Sequence, residues 1–250
     1  MAKRTPVLIG AAVVVAVVVA GGLWWFLRDD APDAVSLDAA RESVEATSST
    51  TSIAAGGEPA EEGSDGIDGT WTVDTDTGDF DFESASGTFA GFRVQEELST
   101  IGSTTAVGRT GDVNGSITID GDAVTEGSFT VELTTITTND ERRDSRVQSA
   151  LDTAQHPTAT FTLTAPIDLG PGAVDGEPVT TTASGDLEIK GTTIPVEVAV
   201  EAQLVDGVIV IVGSVDITFS DFGVETPSAP IVLSVDDEGV MEFQLLLNRE

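Results

Sequence analysis

Gly185–Val200, GDLEIKGTTIPVEVAV, is the stretch that decides the fold class. Leu187 and Ile189 alternate with polar neighbours, and Val196, Val198 and Val200 continue the same two-residue period. That period puts one set of side chains on one face of an extended strand, so one face is buried and the other wet. Between the two runs stands Lys190-Gly191, a pair suited to a tight reversal. The pattern spreads outward on both sides. Ile117 and Ile119 alternate, as do Phe129, Val131 and Leu133, then Phe161 and Leu163, then Val215, Ile217 and Phe219, then Phe243, Leu245 and Leu247. Turn signals at Asn114-Gly115, Asp120-Gly121-Asp122, Asp206-Gly207 and Asp237-Glu238-Gly239 separate the runs. The exception is 139–154, which is polar, Arg-rich and without alternation; with Asn139 as N-cap it predicts a short helix. The expectation is an all-β, extended antiparallel barrel of about eight strands with one short helix, over residues 70–250.

Two different segments precede it. Val7–Leu27 carries no charge, and at ~1.5 Å per residue its length spans a ~30 Å hydrocarbon core. Lys3 and Arg4 before it set the N-terminus on the cytoplasmic side, and Trp24, Trp25 and Phe26 end it with rings that favour the headgroup region. Residues 1–28 are therefore read as a single-pass transmembrane anchor, the alternative being a signal peptide whose cleavage would leave the protein secreted. A signal peptide's apolar region would be shorter, ~7–15 residues, with a small-residue cleavage site after it. Residues 29–69 hold eleven acids and one base, Arg41, with few apolar residues. They read as a disordered acidic linker with a transient helix at Asp38–Ala46.

Composition removes whole function classes. Across 250 residues, 43 Asp and Glu face 11 Lys and Arg, a formal net charge of −32 that repels phosphate backbones and argues against nucleic-acid binding. There is no cysteine and a single histidine, His156, so thiolate nucleophiles, disulfides and Cys or multi-His metal centres are ruled out. Gly-x-Ser-x-Gly, Gly-x-Gly-x-x-Gly and the phosphate-cradling loop are all missing. A calcium loop starting at Asp74 would need glycine at its sixth position and glutamate at its twelfth, where Asp79 and Ala85 stand. The sequence thus predicts no enzyme, no metal and no cofactor. Arg142, Arg143 and Arg146 form the single basic cluster of the domain, interleaved with Asp140, Glu141 and Asp144. That leaves two readings open: local charge compensation, or a clamp for an anionic headgroup.

Five stretches, in order, resemble the YceI-like family. They are Gly69–Asp74 (GTWTVD), Thr138–Ser149 (TNDERRDSRVQS), His156–Phe161 (HPTATF), Gly185–Val196 and Ser220–Val224 (SDFGV). Lys190 stands where the family usually has His, and His156 where it usually has Phe. The resemblance implies a lipocalin-like barrel with a long apolar pore that binds polyisoprenoid chains, such as those of quinones or polyprenyl lipids, outside the cytoplasm. In a closed barrel the alternating faces point inward, which makes Phe129, Val131, Leu133, Phe161, Leu163, Leu187, Ile189, Ile217 and Phe219 candidate tail contacts. Phe80 and Phe82 join them as aromatics beside the strands, and Arg143 is the candidate for the headgroup. The expected function is a membrane-tethered, extracytoplasmic protein holding an isoprenoid lipid as its ligand, with homodimerisation left open. The alternative is a non-catalytic structural or adhesion barrel with a filled core, and periodicity does not separate the two.

Overall fold

The computed structural model describes residues 31–54, 66–80, 82, 86–99, 102–226 and 232–250. Among them twelve strands make one antiparallel sheet: β1 Gly69–Val73, β2 Phe89–Leu98, β3 Gly102–Thr110, β4 Val113–Asp120, β5 Ala123–Glu132, β6 Thr137–Thr138, β7 Thr158–Leu163, β8 Ile167–Asp168, β9 Val179–Ile189, β10 Thr192–Val205, β11 Val208–Thr218 and β12 Val232–Arg249. Helices α1, Leu37–Ala54, and α2, Glu141–Leu151, pack against it, with 3-10 turns at Ala173–Asp175 and Phe219–Phe222.

Closure depends on β12. One of its edges runs along β11 from Leu247 opposite Ile209 to Glu238 opposite Thr218. The other edge meets β1 through Leu247–Arg249, then β2 from Gln244 back to Val232. Because β1 also pairs with β4, the order β1-β4-β5-β7-β9-β10-β11-β12 returns on itself, a ring of eight strands. Where β1 stops, β2, β3 and β6 extend the wall. Buried Trp71 sits at the seam, its Nε1 donating to the carbonyl of Ile67 at 2.8 Å.

The hairpin quoted first is present: Leu187 pairs with Ile194, and Lys190 (φ 52°) with Gly191 (φ 74°) turns the chain in the left-handed region. Asp206 (φ 50°) and Gly207 (φ 85°) do the same between β10 and β11, the arrangement that matches strand twist. Two expected turns are not turns. Asn114-Gly115 lies inside β4 and Asp237–Gly239 inside β12. In both, glycine makes room for a ring: a Cβ on Gly115 would stand 2.6 Å from Phe129 Cδ1, and one on Gly239 2.6 Å from Phe219 Cε2. Helix α2 begins one residue later than expected. Asp140 is its N-cap, accepting from the Arg142 amide, while Asn139 ties β3 to the helix by accepting from the Val107 amide and donating to the Thr105 carbonyl.

The reading of residues 29–69 as a disordered linker needs correction over 37–54. This stretch is helical, and Leu37, Ala40 and Val44, spaced i, i+3, i+7, are buried against Val205, Val210, Val212 and Leu246 on the outside of the barrel. The acids occupy the other faces of α1, which is why a mean composition concealed a narrow apolar stripe. No helix among the described residues is long and apolar enough to cross a membrane; the expected anchor at Val7–Leu27 lies outside the described residues.

Candidate functional site

Two faces of the same strands do different work. On β11, Val210 and Val212 turn outward under α1, while Ile209 and Ile211 turn into the ring. On β12, Leu246 is outside and Leu245 and Leu247 are inside. The inner faces enclose a cavity of about 180 Å³. It runs from Ile119 and Ile209, beside two hairpin ends, to Val215 and Met241. Ile209 to Val215 is six residues of strand, ~20 Å of wall. Phe129, Val131, Phe161, Leu163, Leu187, Val198, Phe243 and Leu245 are among its lining residues. Of the polar residues bordering it, Gln203 donates to the Gly176 carbonyl at 2.9 Å, while the Glu242 side chain is held on the outer face by two arginines.

A barrel this rich in phenylalanine stays hollow because its rings lie over glycines of neighbouring strands. A Cβ on Gly213, opposite Phe243, would be 2.4 Å from that ring's Cζ; one on Gly185 would be 2.3 Å from Phe161 Cζ. Each ring thus fills the notch left by a missing side chain and lies along the wall instead of reaching across the lumen. Phe129, Phe161 and Leu187 stand side by side on β5, β7 and β9, forming a continuous apolar row. An engineered apolar cavity of ~150 Å³ stays dry and takes up benzene. This one is comparable in size and lining, so hydrocarbon is its favoured content. A sugar or nucleotide would leave its hydroxyls or phosphates unpaired.

A second cavity of about 180 Å³ lies at the other end, between α2, β2, β3 and the Phe219–Phe222 turn. Phe92, Val94, Leu98, Val147, Leu151, Phe219 and Val224 are among its apolar lining residues; Arg142, Arg143 and Arg146 line it too. Arg143 donates to Asn139 Oδ1 at 2.6 Å and pairs with buried Glu96. Arg142 pairs with Asp140 at 2.9 Å, and its guanidinium holds the Asp140 carboxyl below the usual range. Arg146 is exposed and has no carboxylate partner among the described residues.

The expected site residues divide accordingly. Phe129, Val131, Phe161, Leu163 and Leu187 line the ring cavity. Phe219 and Arg143 line the second one. Leu133, Ile189 and Ile217 line neither; they are buried in the cluster that includes Val147 and Phe222. Phe80 is 39% exposed and lines neither cavity, and neither does half-buried Phe82, whose carbonyl accepts from Arg109. Sequence reasoning left out Val198 of β10, Ile209 of β11 and Phe243 and Leu245 of β12, although the same alternation marks three of these four. It also missed the buried cluster on the barrel's outside. There Glu242 accepts from Arg93 Nε at 2.9 Å and from Arg109 Nη2 at 2.8 Å. These arginines also donate to the carbonyls of Pro32 and Asp33 at 3.0 and 2.8 Å, so the segment leading into α1 is strapped onto the barrel.

Comparison with known proteins agrees with this architecture. The model of the YceI-like domain matches residues 71–247. A protein of Shewanella denitrificans, known as a UPF0312 protein, is 30% identical over 159 residues, which is 60% of this chain and 80% of that protein. Among solved structures, a polyisoprenoid binding domain from Saccharophagus degradans superposes with a TM-score of 0.51 at 17% identity, covering 65% of this chain and 94% of its own. BcnA of Burkholderia cenocepacia gives 0.50 at 20% identity, covering 64% and 94%. Five ordered sequence stretches, a closed eight-strand ring and the matching family model converge: the chain belongs to the YceI-like family.

Proposed function

We propose that the protein is a membrane-tethered, extracytoplasmic lipid-binding protein that holds the isoprenoid tail of a quinone or polyprenyl lipid inside its barrel. The observation that carries this reading is the ring cavity of about 180 Å³, enclosed almost wholly by carbon and kept open by rings seated on glycines. Burial of apolar area at ~25 cal/mol per Å² rewards a tail without a charged anchor. The polyisoprenoid-binding neighbour with the same fold supports the same ligand class. A cavity in the ring weighs against the filled structural barrel, since a packed core leaves few voids larger than a water molecule. Tethering and location rest on Val7–Leu27, flanked by Lys3 and Arg4 on one side and acids on the other. Native mass spectrometry of the gently extracted full chain tests the ligand: a co-purifying prenyl lipid is expected, and a bare chain that also refuses added prenyl alcohols would refute the reading. Protease added to spheroplasts should digest the barrel; protection would reverse the proposed orientation.

A further inference from the structure

The two cavities lie end to end along the same strands. On the inner face of β2, Ala90 belongs to the ring cavity, and Phe92, the next residue on that face, to the second. On β12, Met241 borders the ring cavity, and Gly239, two residues on, lies beneath the ring of Phe219. Phe92 and Phe219 meet edge to face, centroids 6.4 Å apart at 87°, at this boundary. Each is seated on a glycine: a Cβ on Gly108 would stand 2.4 Å from Phe92 Cε1, as the Gly239 position does for Phe219. One side-chain cluster contains both rings, together with Val131, Leu187 and Met241 of the ring cavity and Val147 and Val224 of the second. The wall here is also loosely laddered, because the β12–β2 register breaks between Val235 and Gly239.

We propose that Phe92 and Phe219 form a gate that sets tail length, and that a long prenyl chain displaces the pair and threads both chambers. This deepens the lipid-binding reading and rests on it. Volume decides in its favour. Ligand pockets typically measure ~300–1,000 Å³. Neither chamber reaches that range alone, and the two together do. Swinging the rings aside costs their edge-to-face contact and their seats over Gly108 and Gly239, and breaks no side-chain hydrogen bond, since a phenylalanine ring makes none. The chain then leaves the second chamber beside exposed Arg146.

Binding of geraniol (two prenyl units) and geranylgeraniol (four units) to the full chain in detergent tests the gate. Phe219→Leu and Phe92→Leu remove the edge-to-face contact, so the longer alcohol should bind about 2- to 10-fold tighter, with the shorter unchanged. Val94→Phe, which fills the second chamber without touching the gate pair's identity, should weaken the longer alcohol ~10-fold or more and spare the shorter. Equal shifts for both alcohols in the Leu variants, or an unchanged long-chain affinity in Val94→Phe, would overturn the gate and leave the barrel a lipid site. If neither alcohol bound any variant, the lipid-binding reading itself would fall, and the gate with it.

Discussion

Glu242→Gln isolates the buried cluster that straps the N-terminal segment to the barrel. Glu242 is 2% exposed and takes four guanidinium hydrogen bonds: 2.9 and 3.2 Å from Arg93, 2.8 and 3.3 Å from Arg109. The amide keeps the shape and removes the charge, leaving Arg109, whose side chain is 4% exposed, without a counter-ion. Breaking a buried pair from one side costs ~3–5 kcal/mol. Here the low end applies, because carbonyls of Asp33 and Phe82 and the Phe89 ring, 4.5 Å below the Arg109 guanidinium, still face the cation. About 3 kcal/mol corresponds to a Tm lower by ~6–12 °C in a chain of this size. The effect carries a pH signature. Burial pushes the Glu242 carboxyl up, but the hydrogen bonds and charges of Arg93 and Arg109 outweigh it, so its pKa in the folded state lies below the ordinary 4.5. A depressed folded value means that the stabilisation is complete above the unfolded pKa and is lost as pH falls through the folded one. The Tm gap between parent and Glu242→Gln should therefore hold from pH 7 to about pH 5 and shrink below 4.5. Circular-dichroism melts at several pH values measure it. A gap under ~2 °C at pH 7, or one unchanged at pH 3, would refute the reasoning.

Three further outcomes follow from the packing. Val44→Asp places a carboxylate at a site 1% exposed, so α1 should leave the barrel and residues 31–54 should become cleavable in limited proteolysis while the ring stays intact. Gly213→Ala should push the Phe243 ring into the lumen and weaken prenyl binding by at least ~5-fold, with overpacking lowering stability by ~1–3 kcal/mol; unchanged binding in titration would show that the ring has room elsewhere. Asp140→Ala removes the α2 N-cap and should cost ~1 kcal/mol, read as a Tm lower by ~2–4 °C.

Alternation exposed most of the ring because strands such as β5, β7 and β9 face lumen on one side and are wetter on the other. Phe129, Phe161 and Leu187 were legible as lining for that reason. The same logic hid α1. Its docking site is written into the strands as a breach of alternation, the continuous apolar run Val208–Val212 and the triplet Leu245–Leu247, which marks strands buried on both faces. Strands β2 and β3 were illegible because Gly91, Arg93, Gly108 and Arg109 interrupt their pattern, and these residues serve the gate and the buried cluster instead of a plain core. Glycine misled twice more, at Gly115 and Gly239, since a position that seats a ring looks like a turn when only one strand is read. Leu133, Ile189 and Ile217 were assigned to the ligand because periodicity gives the inward face but not the depth. They lie where the interior is packed.

Photo-crosslinking tests the central claim most directly, with a geranylgeranyl probe carrying a diazirine near the tail end and peptides mapped by mass spectrometry. Labelling is predicted on the inner-face residues of β5, β7 and β12, chiefly Phe129, Phe161 and Phe243, and excess unlabelled geranylgeraniol should suppress it. Labels confined to α1 or to outward positions such as Thr130, Thr162 and Gln244, or labelling of Phe129 that no competitor displaces, would contradict a lipid site within the ring.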